Sequence, residues 1–374
     1  MTRHLGTYRR GLVTSAAVAG CVLALAVPAL AATPASTPVP RGYVVMSASW
    51  PTPKSGLVLF GKGYDAGGTP YLFQTTNSGL TWHRLAIPTV MADGSVYAGD
   101  GVIVAAKWNL TRLAVTRDQG RHWSMLQLRG IPAGTTAMAN RITIADKHIY
   151  ALVQLHTRAG PGPTVVYSGT VSCDVLHPVP GQSIPGTAGL PYGDITARGT
   201  TVQTVLGNMT TTEHYWYSRD GVHFTSAPKP CPVTKRAFPV RTFGAMVVAL
   251  CADPPATVGP GITDMRVWAA PRLGGVFRVA GPSHNLSDEQ DFTAVSGHDM
   301  TMTDVFQLLG TSDGATTWKP EESEPAGASW SGLAFPTATT GFVVADTVNT
   351  SLHNVGILFR TTDGGRTWKP VPLP

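Results

Sequence analysis

The chain has 374 residues, of which 43 % are hydrophobic and 13 % charged, a balance that supports a large core and excludes an intrinsically disordered protein. Half of its formal charge of +6 lies in residues 1 to 31, which carry Arg3, Arg9 and Arg10 and no acid, so the remainder holds 25 basic against 22 acidic residues. Those cations are scattered and form no basic cluster with interleaved aromatics, which leaves nucleic-acid binding without support.

Residues 1–31 read as a secretory signal peptide: the arginines precede the apolar run GLVTSAAVAGCVLALAVPALA, which closes on Ala29-Leu30-Ala31, a small-residue cleavage site. Val18-Ala19-Gly20-Cys21 also fits a lipobox, which would attach the chain to a membrane through a lipid on Cys21, although the apolar VLALAV that follows suits the middle of a signal better. Arg9-Arg10 offers a twin-arginine route in a poor sequence context. Residues 32–41 form a Pro/Thr/Ser-rich tether. A secreted, extracellular monomer is therefore expected, with a cell-surface lipoprotein as the other outcome.

Beyond residue 41 the apolar residues alternate or run in fives and sixes and are rich in Val, Thr and Ile, with no amphipathic helix, so the class is all-β. One short pattern recurs. Thr75-Thr76-Asn77-Ser78-Gly79-Leu80-Thr81-Trp82 is followed by Thr116 to Trp123 around Asp118, by Ser218 to Phe224 around Asp220, by Thr311 to Trp318 around Asp313, and by Thr361 to Trp368 around Asp363. Asp or Asn before Gly between two β-prone runs is a hairpin signal, because Gly supplies positive φ and the carboxylate or amide accepts from backbone N–H groups just ahead. The closing aromatic, Trp82, Trp123, Phe224, Trp318 or Trp368, is expected to wedge into the interior of its own sheet.

Trp82 and Trp123 are 41 residues apart and Trp318 and Trp368 are 50 apart, which are single-unit spacings, whereas the gaps of 101 and 94 residues on either side of Phe224 are about double. Each long gap hides a degenerate unit, at Val165–Thr170 leading to Cys173–Leu176 and at Val267–Ala270 leading to Val276–Val279. Residues 42–374 thus read as a seven-bladed β-propeller of four-stranded antiparallel blades, with the motif at each turn between third and fourth strands.

With these residues in view, the chain resembles the Asp-box (bacterial neuraminidase repeat) propellers, a group containing sialidases, xyloglucanases, the luminal domain of sortilin and the photosystem II assembly factors. The resemblance implies the fold; in these families the motif lies on outer turns, away from the ligand channel. A sialidase also requires an early Arg-Ile-Pro element, an arginine triad, an acid/base Asp and a Glu-activated Tyr. Here Arg129-Gly130-Ile131-Pro132 has an inserted Gly and comes late, and Glu213 beside Tyr215 and Tyr217 is the nearest Glu and Tyr set. Asp194 and Asp299 are the best candidates for hydrolytic carboxylates, and Glu321, Glu322 and Glu324 read as a solvated rim.

Gly310 to Gly314 matches a nucleophile elbow by spelling only, since no helix follows, and Gly61 to Ala66 matches a dinucleotide fingerprint in the same empty way. No catalytic residue, cofactor or metal ligand set is assigned; a weak Ca²⁺ position near Asp288, Glu289 and Asp291 is the nearest approach. Ligand contacts are expected where loops around Asp194, Arg198, His298 and Asp299 converge, and the partner is an unidentified protein or glycan. Cys231 and Cys251 are expected to form a disulfide between neighbouring strands, leaving Cys173 outside it. The function these readings favour is a non-catalytic binding or assembly scaffold, with a sialidase-like or xyloglucanase-like glycoside hydrolase as the alternative.

Overall fold

The computed structural model describes residues 39–40, 42–62, 68–91, 94–107, 112–158, 160–184, 191–208, 212–232, 236–252, 263–282, 284–286, 291–304, 307–323, 328–347 and 356–374. The signal, the tether up to residue 38 and Cys21 fall outside them, as do Asp288, Glu289 and Glu324.

The described residues build an all-β propeller from antiparallel meanders. The first comprises β1 (Val44–Ser49), β2 (Gly56–Gly61), β3 (Tyr71–Thr75) and β4 (His83–Leu85), and a short 3-10 turn, Thr89–Met91, leads out of it. Next come β5 (Gly94–Gly99), β6 (Val102–Lys107), β7 (Leu113–Thr116) and β8 (Ser124–Leu128), then β9 (Thr136–Ala145), β10 (His148–Thr157), β11 (Gly160–Thr170) and β12 (Val175–Ile184). These two meanders share one eight-stranded sheet, because β12 runs parallel to β8 over Val175–Gln127 and Leu176–Leu128.

A four-stranded sheet follows, β13 (Pro191–Arg198), β14 (Thr201–Asn208), β15 (Thr212–Ser218) and β16 (Phe224–Ser226). After it come β17 (Arg236–Phe243), β18 (Met246–Ala252) and β19 (Thr263–Ala270), whose outer edge is divided between β20 (Arg278–Val279) and β21 (His284–Leu286). The last two sheets are β22 (Phe292–Ala294), β23 (Met300–Thr303), β24 (Gln307–Thr311), β25 (Lys319–Ser323), and β26 (Ala328–Ala334), β27 (Gly341–Thr347), β28 (Ile357–Thr361), β29 (Lys369–Val371).

Strands buried on both faces explain the unbroken apolar runs. Along β10, Ile149, Ala151 and Val153 pack with Val102, Val104 and Val115 on one side, while Tyr150 and Leu152 pack with Ile195, Val202 and Leu206 on the other. The same alternation divides β18, with Val247 and Ala249 facing Val205 and Tyr215, and Val248 and Leu250 facing Phe292 and Met302. A strand whose side chains alternate between two sheets has no solvent face, so the expected polar alternation is absent. The innermost strands β1, β5, β9, β13, β17, β22 and β26 touch in chain order, and β26 touches β1, closing the ring around a central channel.

The recurring turn folds as its chemistry dictates. In the last sheet the Thr361 hydroxyl donates to Asp363 Oδ1 at 2.7 Å and accepts from Gly365 N–H at 3.0 Å. Asp363 Oδ1 then accepts from Thr367 N–H at 3.0 Å and Oδ2 from the Thr367 hydroxyl at 2.6 Å. The arrangement repeats at Thr311/Asp313/Thr317, and at Thr75/Asn77/Thr81 with an amide replacing the carboxylate. At Asp118 and Asp220 a histidine ring, His122 or His223, takes the place of the second Thr at 2.5 and 2.7 Å. Two consecutive residues adopt positive φ in the last turn, Gly364 at 79° and Gly365 at 94°, which is why Gly is the favoured residue there.

The turn aromatics pack where neighbouring sheets meet. Trp82 packs against Phe342 and Leu358 of the last sheet, Trp123 against Leu57, Leu59 and Leu72, Phe224 against Tyr150 and Leu152, and Trp318 against Val248 and Val267. Each shares its cluster with residues of its own sheet as well, such as Phe73 for Trp82, Ile103 for Trp123, Trp216 for Phe224 and Met302 for Trp318, so each sits where its sheet meets the preceding one. Trp368 is intermediate, touching Phe335 of its own sheet and sharing a cluster with Leu308 of the preceding one. The reason is geometric: the third-to-fourth turn lies at the sheet edge, and the large apolar surface there is the neighbour's flank. The indoles also bond across seams, Trp82 Nε1 to Pro372 O at 3.0 Å and Trp123 Nε1 to Ala86 O at 2.8 Å.

Cys231 and Cys251 form the expected disulfide, with Cα atoms 5.6 Å apart, joining the segment before β17 to β18. Cys173 stays outside it, half-buried in the turn between β11 and β12.

Candidate functional site

The channel is a cavity of about 1100 Å³ walled by the inner strands. Its lining divides into two arcs. On β5, β9, β13 and β17 stand Tyr97, Arg141, Asp194, Arg198, Arg241 and Thr242; on β26 and β1 stand Ser331, Leu333, Ala334, Met46, Ser47, Ala48 and Ser49, with Phe335 and Pro336 just after β26.

The charged arc converges on Asp194. Arg241 Nη1 lies 2.8 Å from Asp194 Oδ2, and Arg141 Nε lies 4.0 Å from Oδ1, so guanidiniums from β9 and β17 flank one carboxylate on the strand between them. The Asp194 side chain is 11 % exposed, against 28 % for Arg241 and 56 % for Arg141. The Tyr97 hydroxyl bonds Ser95 and Arg141, and burial pushes its pKa up despite the neighbouring guanidinium.

Beside this level a polar seam joins β13–β14 to β17. Tyr215 donates to Gln203 Oε1 at 2.6 Å, Gln203 Nε2 donates to the Thr242 hydroxyl, and Thr196 donates to Val240 O at 3.2 Å. Tyr215 is fully buried, which raises its pKa strongly; with its hydroxyl committed to Gln203 it is a structural donor, not a nucleophile.

Of the four residues expected to converge, the structure joins only two in the channel, and not at one depth. Asp194 lies mid-strand, and Arg198 lies at the mouth, donating to Thr242 O at 3.3 Å with its guanidinium 5.9 Å from the Phe243 ring. His298 and Asp299 are corrected: they belong to the turn between β22 and β23 and do not line the channel. There Asp299 Oδ2 accepts from the Ser296 hydroxyl at 2.7 Å and Oδ1 from Arg366 at 3.1 Å, while His298 N–H donates to Ser296 Oγ at 3.0 Å. A five-residue hairpin turn outside the inner-strand wall directs those side chains toward neighbouring turns.

Glu321 is also not a solvated rim acid: it is half-buried, and burial raises its pKa. Asp291 gives its Oδ2 to Leu333 N–H at 3.0 Å, tying β22 to β26, and among the described residues no grouping of His, Cys, Asp and Glu suits a metal ion. The turn residues Asn77, Asp118, Asp220, Asp313 and Asp363 lie outside the channel lining and hold backbone.

Tyr97, Arg141 and Arg241 escaped the sequence reading. The signal was present: RITIA, YGDIT and PVRTF each open a unit and each carry one charge inside an apolar run, which on an inner strand has only the channel to face.

No family model matches the chain, and no curated protein matches it. Among solved structures it is similar to YCF48 from Cyanidioschyzon merolae, with 14 % identity, 87 % of this chain and 97 % of that chain covered, and a TM-score of 0.53. It is also similar to a PL25 ulvan lyase, at 10 % identity with 89 % and 96 % covered and a TM-score of 0.58, and to the propeller domain of the Trilobed protease from Pyrococcus furiosus, at 8 % identity with 88 % and 98 % covered and a TM-score of 0.50. At these identities the likeness establishes a β-propeller and assigns no activity.

Proposed function

We propose that this chain is an exported seven-bladed Asp-box propeller that acts as a non-catalytic binding or assembly scaffold, taking its ligand in the central channel. The count of seven is supported by treating the eight-stranded sheet as two meanders zipped over only two residue pairs, and by the chain-order contacts of β1, β5, β9, β13, β17, β22 and β26. Membership of the Asp-box group is supported by the repeated hydroxyl–carboxylate–backbone turn. Export is supported by the buried disulfide, which persists in oxidising surroundings.

The observation that carries the scaffold reading is the state of Asp194. It is the one carboxylate at the centre of the charged arc, it is engaged by Arg241 and flanked by Arg141, and its former candidate partner Asp299 lies outside the channel. Glycoside hydrolysis needs two opposed carboxyl groups, and the Asp194 carboxylate is already engaged by the Arg241 guanidinium. A glycan-active enzyme is the second reading, because Arg141 and Arg241 do converge on one concave wall.

The test is incubation of the purified protein with a fluorogenic sialoside and with xyloglucan oligomers. No release of sugar is expected. Turnover that disappears in Asp194→Ala would replace the scaffold with a hydrolase.

A further inference from the structure

The sheets β5–β8 and β9–β12 carry their charges at opposite ends. β1 and β5 run side by side in one direction, because Val96 N–H donates to Ser47 Oγ at 3.1 Å and Ala98 N–H to Ser49 Oγ at 3.0 Å. The start of β1, where the chain enters from Val39 and Pro40, therefore shares one end of the ring with the start of β5. Antiparallel pairing brings the ends of β6 and β8 and the start of β7 to the same end. Lys107 and Arg112 face each other there, Lys107 N–H donating to Arg112 O at 3.2 Å, and Arg129 continues the exposed row of Met125 and Gln127 on β8. Because β12 runs parallel to β8, β10 also ends at this level, and Arg158 follows it.

Among the described residues none of these four side chains has an ion-pair or hydrogen-bond partner, and none lines the central cavity. Like charges directly opposite in a ladder are destabilising, so the Lys107 and Arg112 pair works against the fold. The connections at this end, residues 86–93, 108–111, 129–135, 158–159 and 185–190, contain one acid, Asp93. Asp100, Asp118, Asp146 and Asp174 all lie in turns at the other end. Across the ring, residues 287–324, which carry β22–β25, hold nine acidic residues and one basic residue, Lys319.

We propose that the end of β5–β12 at which the chain enters rests on an anionic phospholipid surface through Lys107, Arg112, Arg129 and Arg158, with the acid-rich β22–β25 side turned away. The proposal rests on the export reading. A discrete anion requires donors converging on one point, whereas these cations are spread over the strand ends of two sheets, and a charged surface needs only their proximity. The tether of residues 32–41, with its own Arg41, joins at this end, so a chain held by its leader or by a lipid on Cys21 presents these cations to the bilayer. A second copy offering its acidic side is a poorer partner. Asp291 is bonded to Leu333 N–H, Asp299 to Ser296 and Arg366, and Asp313 to Thr317.

The experiment floats the exported chain with vesicles of phosphatidylcholine alone and of phosphatidylcholine mixed equally with phosphatidylglycerol. Binding should appear with the mixed vesicles alone and fade as salt rises. Lys107→Gln, Arg112→Gln and Arg129→Gln together should weaken it roughly a hundredfold, about fivefold per charge, while the thermal midpoint holds or rises with the like-charge pair gone. Should that variant unfold, Arg158→Gln, in an exposed two-residue turn, should still weaken binding about fivefold. Arg121→Gln, at the other end, should leave it unchanged. No binding to mixed vesicles, equal binding to both kinds, or a loss as large in Arg121→Gln as in Arg158→Gln would overturn the proposal. Salt-sensitive oligomers without vesicles, abolished by the triple variant, would transfer the surface to a second copy. Export is tested separately by N-terminal sequencing of the mature protein, since the vesicle assay does not depend on how the chain left the cell.

Discussion

At the scale of single residues, the turns depend on carboxylates that are ionised and fully used. Burial alone would raise Asp363, but the Thr367 and Thr361 hydroxyls and the backbone N–H groups of Thr367 and Arg366 outweigh it and hold the pKa at about 2. Asp118 is likewise held at about 2 against its burial by the backbone and ring of His122 and by Thr116, and Asp313 at about 2 by the hydroxyl and N–H of Thr317 and by Thr311. A carboxyl depressed on folding contributes stability above its unfolded pKa, near 3.9, and that contribution disappears as pH falls through the folded value. The turns' contribution to the urea midpoint should therefore be flat above pH 5 and fall from about pH 4 to pH 2. Replacing Asp363 by Asn, the residue used at position 77, should flatten part of that fall; an unchanged acid profile would refute the assignment. In the same turns, Gln119 occupies a positive φ of 60° while exposed to solvent. Removing the strain of a left-handed Gln outweighs the entropy cost of Gly, so Gln119→Gly should stabilise by about 0.5–1 kcal/mol in urea unfolding.

At the scale of elements, the sheet of β17 to β20 carries a covalent link. Its outer edge is divided between β20 and β21. The Cys231–Cys251 bridge closes a separation of 20 residues, and such a loop is worth roughly 3 kcal/mol through restriction of the unfolded chain. Cys231→Ser with Cys251→Ser should lower stability by about that amount. Hydrogen exchange should rise first in β17, β18 and β19, because Cys251 on β18 pairs with Ala237 of β17 and Arg266 of β19. Peptide mapping should find Cys173 in neither disulfide partner's fragment. A bridge linking Cys173 to Cys231 or Cys251 would contradict the pairing.

At the scale of the whole molecule, the ring closes without exchange of strands between its ends: the first sheet is built from Val44–Leu85 and the last from Ala328–Val371. Closure falls to side chains. The Trp50 ring stacks on Phe342 with centroids 3.6 Å apart, Trp82 meets Trp50 edge to face, and Trp82 Nε1 bonds Pro372 O. Trp50→Ala removes a buried stacked indole and should cost about 3–5 kcal/mol. The loss of exchange protection should be concentrated in β1–β4 and β26–β29, the two sides of the seam. Uniform loss around the ring would show that the seam is no weaker than the other contacts.

The sequence by itself determined the repeat, and through it the fold. A Thr, an Asp and a Gly at fixed offsets act locally, bonding one another across four residues, so their spelling is enough to place the turns and the meanders between them. The disulfide was legible for the same reason, since adjacent strands of one sheet bring Cys231 and Cys251 together. Only the tertiary structure decided where the turn aromatics go and which charges meet. Trp82 reaches Pro372 across nearly the whole chain, and Arg141, Asp194 and Arg241 come from three successive inner strands. Their meeting is set by how each sheet leans on the next, a relation spread over every interface, and no window of sequence contains it.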